Sequence, residues 1–211
     1  QPIRHDGYDK VTGKALYGAD IHPTGMLHGK MLRSPHAHAK ITSIDISKAA
    51  SHPGVRAVVT AHDLPRPTSG DPSGNNNILT GNRVLYKGHA IAAIAAINPH
   101  VAEEALSLID IKYEILPAVV DVEQAMKSGA PQLHQEHTNN VANHTKFTLG
   151  DIEKGFQEAD VIIEREYHTK TVHQGYIEPH SATAIWDANG KVTIWCSSQG
   201  HFEMIHFRSE N

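Results

Sequence analysis

The chain is poor in cysteine, in long apolar runs and in basic charge. Its 211 residues include one cysteine, Cys196, which excludes an internal disulfide, a zinc finger and a cysteine-ligated iron–sulfur cluster within the chain. The longest apolar run, residues 90–97, is far shorter than the roughly 20 residues of a membrane-spanning helix. No signal peptide follows Gln1. These absences predict a cytoplasmic protein with no membrane partner.

The charge balance excludes another class of protein. Nineteen Lys and Arg stand against 23 Asp and Glu, a formal net charge of −4. Nucleic-acid binding needs a basic surplus for the phosphate backbone, so no nucleic-acid partner is expected. The sequence also contains no G-x-x-x-x-G-K-[ST] loop, no G-x-G-x-x-G turn after a strand and no nucleophile elbow. The chain in isolation therefore shows no evident catalytic machinery.

The apolar pattern predicts an α/β (α+β) fold whose first domain covers residues 1–130. Residues 90–97 (AIAAIAAI) are typical of a strand that is buried on both faces. Asp121 is expected to cap a short helix that ends at Gly129. The other strands are predicted over MLHGKMLRS, AKITSIDI, VRAVVT and IDIKYEIL, and the helices over SKAASHPG, PHVAEEALSLI and DVEQAMKSG.

A linker at residues 131–145 and an incomplete second domain at 146–211 are predicted to follow. Asp151 is expected to cap the helix DIEKGFQEA, and Asn189-Gly190 to form a hairpin turn because both residues tolerate positive φ. Strands are predicted over DVIIEREYHTK, HSATAIWD and KVTIWCSS, and a helix is expected to begin in HFEMIHFRSEN. One helix and a hairpin do not make a core, so we expect the chain to be a fragment or one subunit of a larger protein.

Two histidines in RSPHAHAK raise the question of a metal site. His36 and His38 would share one face of a strand and could hold zinc. However, Pro35 favours a turn, and no further clustered ligands complete a set of three or four. We therefore expect structural roles for both histidines and no direct protein ligand to a metal.

Polar residues also stand beside the predicted strands of the second domain. Glu178, His180 and Gln199 lie at or near strand ends, where site residues are often found. On the residues alone, Glu178 beside Pro179 could equally anchor a turn, and Gln199 could be a loop-facing amide.

Several stretches together closely resemble the molybdenum-binding large subunit of the xanthine dehydrogenase and aldehyde oxidase family, in the right order over nearly the whole chain. They are DGYDKVTGKALYGADI, GMLHGKMLRSPHAHAKITSIDISKA, HPGVRAVVTAHDLP, YKGHAIAAIAA with AEEALSLIDIKYEILPAVVDVEQAM, GDIEKGFQEADVIIEREY and QGYIEPHSATAIWDANGKVTIWCSSQ. The resemblance implies a hammerhead-type domain of mixed sheet and helices, followed by the beginning of a molybdopterin-binding α+β domain.

The resemblance also implies site residues. Gln199 matches the family glutamine that hydrogen-bonds an oxo ligand of molybdenum, with Gly200 in the same neighbourhood. Glu178 and His180 fall in the family's EPH segment as supporting residues. The glycine-rich GGGFG stretch and the late glutamate that serves as general base are absent. The resemblance thus implies no catalytic residue in this chain, which alone should be inactive.

Family members hydroxylate an aldehyde or an N-heterocycle at molybdopterin, in its simple or cytosine dinucleotide form. Electrons pass to FAD and two [2Fe-2S] clusters on partner subunits or domains. The implied partners are the remainder of the molybdenum subunit, a FAD-binding medium subunit and a [2Fe-2S] small subunit. The alternative is a stand-alone α/β assembly or binding module without redox activity, although an exposed sheet edge would be a liability for it.

Overall fold

The computed structural model describes residues 4–64, 78–134 and 137–200. They form two compact units, a larger one within residues 27–167 and a smaller one that joins residues 4–26 to 168–200. The helices are α1 Gly7–Val11, α2 Ser47–Ala50, α3 Pro99–Ser107, α4 Val122–Ala125 and α5 Ile152–Glu158, with 3-10 turns at Gly18–Asp20, Ala61–Asp63 and Thr138–Asn140. The strands are β1 His28–Arg33, β2 Ala39–Asp45, β3 Val55–Thr60, β4 Arg83–Val84, β5 Ala90–Ala96, β6 Asp110–Ile115, β7 Ala182–Trp186 and β8 Val192–Cys196.

Two three-stranded sheets make up the larger unit, in the orders β1-β5-β3 and β4-β2-β6. All their pairings in the described residues are antiparallel. The predicted strands and helices of this region are all present, although the helix after Asp121 ends at Ala125 instead of Gly129, and the antiparallel pairing gives the region its α+β character. The loop predicted after β3 lies partly outside the described residues.

Strand β5 is the centre of the core, as its apolar sequence predicts. Ile91, Ala92 and Ile94 are at most 1% exposed, because β5 has a strand on each side and helix α3 packs beside it. Helix α3 begins at Asn98, whose side chain accepts the Val101 N–H at 2.8 Å, and it buries small alanines toward the sheet. A second cluster contains Ala39, Ile41, Val84 and Ile91.

The histidines of RSPHAHAK lie in a turn between β1 and β2, as predicted. His38 is 4% exposed. Its Nδ1 bonds the Pro117 carbonyl, and its Nε2 accepts the Arg83 Nε–H at 2.9 Å. The His36 ring meets Tyr113 edge-on at 4.8 Å, and burial raises the pKa of that tyrosine. Both nitrogens of His38 thus have protein partners.

Within the larger unit, the predicted linker is bonded by the side-chain amide of Asn140 and the guanidinium of Arg83. Asn140 Nδ2 donates to the carbonyls of Ala125 at 2.9 Å and Pro131 at 3.1 Å, and its Oδ1 accepts the Leu133 N–H. Arg83 also donates to the Gln132 carbonyl at 3.0 Å. The domain limits at 130 and 146 stay predictions, and the two compact units divide the chain elsewhere.

Helix α5 forms as predicted, with the Asp151 carboxylate accepting the Lys154 N–H at 3.0 Å. The strand predicted over residues 160–170 is wrong, because the structure assigns no strand there. A strand needs a neighbour to complete its ladder, and the apolar pattern cannot supply one. Val161 and Ile163 remain 75% and 73% exposed. The helix expected in HFEMIHFRSEN lies outside the described residues.

The smaller unit contains the hairpin of β7 and β8, paired from Ala182↔Cys196 to Trp186↔Val192. The Asp187 carboxylate accepts the N–H groups of Asn189 and Lys191, each at 2.9 Å. Gly190 has φ +81°, whereas Asn189 is not among the residues with positive φ. The hairpin turn is therefore confirmed at Asn189-Gly190, but of these two residues only Gly190 has a positive φ.

Within the described part of the chain, no helix is long and apolar enough to cross a membrane.

Candidate functional site

The hairpin brings the two predicted site segments together. In an antiparallel pair, the start of the first strand lies beside the end of the second. Residues 178–180 precede β7 and residues 197–200 follow β8, so the Ala182↔Cys196 pairing places them at one end of the hairpin. The Ser197 N–H extends the ladder to the Ser181 carbonyl at 3.2 Å.

Glu178 links three segments of the smaller unit. Its Oε1 lies 3.0 Å from the Ser197 hydroxyl and 3.5 Å from the Gly18 N–H. The Ser197 hydroxyl is also 3.1 Å from the Pro179 carbonyl. One carboxylate oxygen thus joins the 3-10 turn at Gly18–Asp20, the entry to β7 and the exit from β8.

Aromatic rings line the neighbouring surface. The rings of Tyr176 and His180 stack with centroids 4.4 Å apart and planes 14° apart, and the Tyr176 hydroxyl is 3.3 Å from His180 Nδ1. The His173 ring lies 5.0 Å from that of Tyr176, with the two planes tilted by 48°. These three rings form an aromatic cluster before β7.

A recess of about 430 Å³ connects these features. Gln199 is exposed in it, and Gly200, half-buried, donates its N–H to the Ser198 hydroxyl at 3.1 Å. Gly200 is not among the lining residues. The recess is lined by Tyr176, Glu178, His180, Ser197, Ser198 and Gln199.

Sequence reasoning found three of these residues and missed others. Glu178, His180 and Gln199 share the recess. Ser198 and Ser197 were missed although they adjoin Gln199, since a serine pair after a strand is a weak signal. Gly18 had no local signal at all, because its contact with Glu178 spans 160 positions of sequence.

The lining suits a bulky polar cofactor whose metal ion is held by the cofactor itself and not by protein side chains. In residues 4–64, 78–134 and 137–200, no three His, Cys, Asp or Glu side chains cluster as a metal site. Apart from the Glu178 carboxylate, which accepts from Ser197, the recess offers an amide, hydroxyls and aromatic rings, which hydrogen-bond or stack without adding charge. The Ser181 hydroxyl, next to His180 in the sequence, is buried without a hydrogen-bond partner and does not line the recess. These features fit a cofactor held by hydrogen bonds.

Two family models match the chain. Residues 12–117 match the aldehyde oxidase and xanthine dehydrogenase a/b hammerhead domain. Residues 133–210 match the molybdopterin cofactor-binding domain, which includes every residue that lines the recess.

Curated relatives agree with these matches. Over 198 residues, 93% of this chain and 26% of the relative, the chain is 37% identical to a protein of Bacillus subtilis strain 168 described as a probable subunit of xanthine dehydrogenase. It is 32% identical over 203 residues to the nicotinate dehydrogenase large molybdopterin subunit of Eubacterium barkeri, covering 95% of this chain and 47% of the relative. The chain thus spans a quarter to a half of these relatives.

Solved structures show the same likeness. The crystal structure of quinoline 2-oxidoreductase from Pseudomonas putida 86 matches with a TM-score of 0.82 and 27% identity. The match covers 94% of this chain and 26% of that one. The predicted hammerhead-type domain and the start of a molybdopterin-binding domain are thereby confirmed.

Proposed function

Because the chain belongs to the aldehyde oxidase and xanthine dehydrogenase family, we propose that it is the N-terminal part of a molybdenum hydroxylase large subunit. The complete enzyme would oxidatively hydroxylate an aldehyde or an N-heterocycle. The observation that carries the proposal is the recess at the end of the β7–β8 hairpin, where Gln199 lies with Glu178 and His180 inside the region that matches the cofactor-binding domain.

The residues of the recess would hold a molybdopterin cofactor. When bound, this group supplies the redox chemistry of the hydroxylation. Gln199 would donate its amide N–H to the cofactor, because a neutral amide can orient a polar group without adding charge. Gly200, lacking a side chain, would let the backbone approach closely. His180 and Glu178 would act behind Gln199 rather than on the reacting atoms.

The catalytic proton acceptor is proposed to lie outside this chain. The resemblance places the family's general base in a late glutamate that has no counterpart in this sequence. The role of this chain is then to bind and orient, and turnover would require the remainder of the subunit.

The proposed assembly includes further chains and cofactors. FAD and two [2Fe-2S] clusters would be carried by partner subunits or domains, because Cys196 alone cannot ligate a cluster. The single cysteine also supports a cytoplasmic location. A stand-alone module without redox activity has no comparable support, because the second family model that matches is a cofactor-binding domain.

Replacing Gln199 tests the proposal. In the complete enzyme, Gln199→Ala should lower turnover roughly tenfold or more, or reduce bound molybdenum, through the loss of one well-placed donor. Steady-state rates and the metal content per subunit measure both. Gln124→Ala, an exposed glutamine of α4, makes the same chemical change outside the recess and should alter neither quantity. Unchanged turnover and unchanged molybdenum in Gln199→Ala would refute the role.

A further inference from the structure

A hydrogen-bonded junction lies directly behind the segment that carries Gln199. Glu178 Oε1 is 3.0 Å from the Ser197 hydroxyl and 3.5 Å from the Gly18 N–H. Ser197 stands two positions before Gln199, immediately after β8. An interaction that holds Ser197 in place therefore also sets the direction in which the chain leaves the hairpin.

The junction is closely packed around Gly18. A Cβ at this position would come within 2.6 Å of Ser181 Oγ and 3.3 Å of Ser197 Oγ. A side chain at this position would force the serine hydroxyls or the 3-10 turn to shift, whereas glycine lets the N–H of the turn reach Glu178. The junction thus depends on residues from three separated parts of the sequence.

The carboxylate is the stronger of two acceptors for Ser197. A serine hydroxyl has one proton, and both Glu178 Oε1 and the Pro179 carbonyl lie within 3.1 Å of it. Hydrogen bonds to an ionised group are about twice as strong as those between neutral groups. The proton of Ser197 should therefore point to Glu178, across the hairpin end.

We propose that Glu178 is a positioning residue for Gln199. Its carboxylate holds Ser197 against the Gly18 turn, so that the segment 197–200 presents the Gln199 amide to the recess. Glu178 acts through Gln199 and does not touch the reacting atoms. The inference deepens the proposed function and depends on it for the catalytic consequence, although the structural link can be measured separately.

The test compares variants of the complete enzyme. Glu178→Ala removes the acceptor and should lower kcat roughly tenfold, the effect of about one charge-assisted hydrogen bond. Glu178→Gln keeps an oxygen at Oε1 and should stay within roughly threefold of wild type. Thr183→Val is a matched control, since it removes only the 3.5 Å contact between Thr183 Oγ1 and the Ile21 carbonyl in the same unit. A loss in this control equal to that of Glu178→Ala would overturn the positioning role.

Double substitution separates positioning from general damage. If Glu178 acts through Gln199, then Glu178→Ala should change kcat by less than about twofold in a Gln199→Ala background. If the losses in kcat of the two single variants multiply in the double variant, the inference is contradicted. If the Glu178→Ala enzyme does not assemble, Ser197→Ala is used in its place, because it removes the donor of the same Ser197–Glu178 hydrogen bond.

Hydrogen exchange provides the readout that is independent of catalysis. Amides of residues 197–200 and 17–20 should exchange faster in Glu178→Ala and Ser197→Ala, and at the wild-type rate in Glu178→Gln and Gln199→Ala. Unchanged exchange in Glu178→Ala would overturn the inference even if activity fell. Faster exchange together with a harmless Gln199→Ala would instead refute only the proposed function.

Discussion

At the scale of single residues, His38 shows how hydrogen bonds assign a role to a histidine. Arg83 can only donate, so His38 Nε2 must accept its N–H, and the Pro117 carbonyl can only accept, so Nδ1 must carry the proton. The buried ring therefore joins β2, β4 and the segment after β6. A metal at either nitrogen would have to break one of these bonds.

Removing this ring should destabilise the larger unit. We expect His38→Ala to cost about 2 to 3 kcal/mol of unfolding free energy, because it removes a buried ring and leaves the Pro117 carbonyl and an Arg83 N–H without these partners. Hydrogen exchange of the β2 and β4 amides measures the loss. His36→Ala, which removes only an edge contact with Tyr113, should cost about 1 kcal/mol or less. Equal effects of the two variants would argue against the bridging role of His38.

The positions of the candidate site residues were predictable from the sequence to different degrees. Gln199 beside the end of β8 and Glu178 before β7 could be selected because they adjoin strand ends within one hairpin. Their link through Ser197 and Gly18 could not, since a carboxylate between two distant backbone segments has no signature in residue type or spacing. Long-range side-chain contacts depend on how the chain packs, and the local periodicity of a sequence does not predict packing.

At the scale of elements, helix caps and buried apolar runs were the features of the sequence that predicted structure reliably. Asp121 and Asp151 cap helices as predicted, and Asn98, which was not predicted, caps α3 in the same way, because these side chains accept N–H groups that the first turn leaves free. The strand prediction for residues 160–170 was wrong, because an exposed apolar run forms a strand only when a neighbouring strand pairs with it. Local chemistry thus predicted helix starts better than strand pairing.

The turn between β7 and β8 yields a prediction at this scale. Gly190→Ala should cost about 1 to 2 kcal/mol, because φ +81° is strained for a residue with a Cβ. Asn189→Ala should stay within about 0.5 kcal/mol, because its backbone uses no positive φ. The two tryptophans, Trp186 and Trp195, both lie in this hairpin, so fluorescence-detected urea unfolding reports on it. A larger loss in Asn189→Ala would contradict the turn geometry.

At the scale of the whole molecule, much apolar surface is exposed between the end of α4 and the start of β7. Phe147 and Leu149 are 87% and 90% exposed, and Ile177 is fully exposed. Helix α5 buries none of its residues, although a helix this short is marginal without packing. Exposed apolar side chains are thus present in each of the two units, as is typical of surfaces that contact other chains.

The metal content of the native complex distinguishes the proposed molybdenum enzyme from a protein without redox activity. The native complex would be isolated through a tag on this chain from cells supplied with molybdate, and its molybdenum, pterin, flavin and iron would be quantified. We expect near-stoichiometric molybdenum and pterin, together with flavin and iron–sulfur absorbance from partner subunits. An intact, folded complex that contains no molybdenum would contradict it.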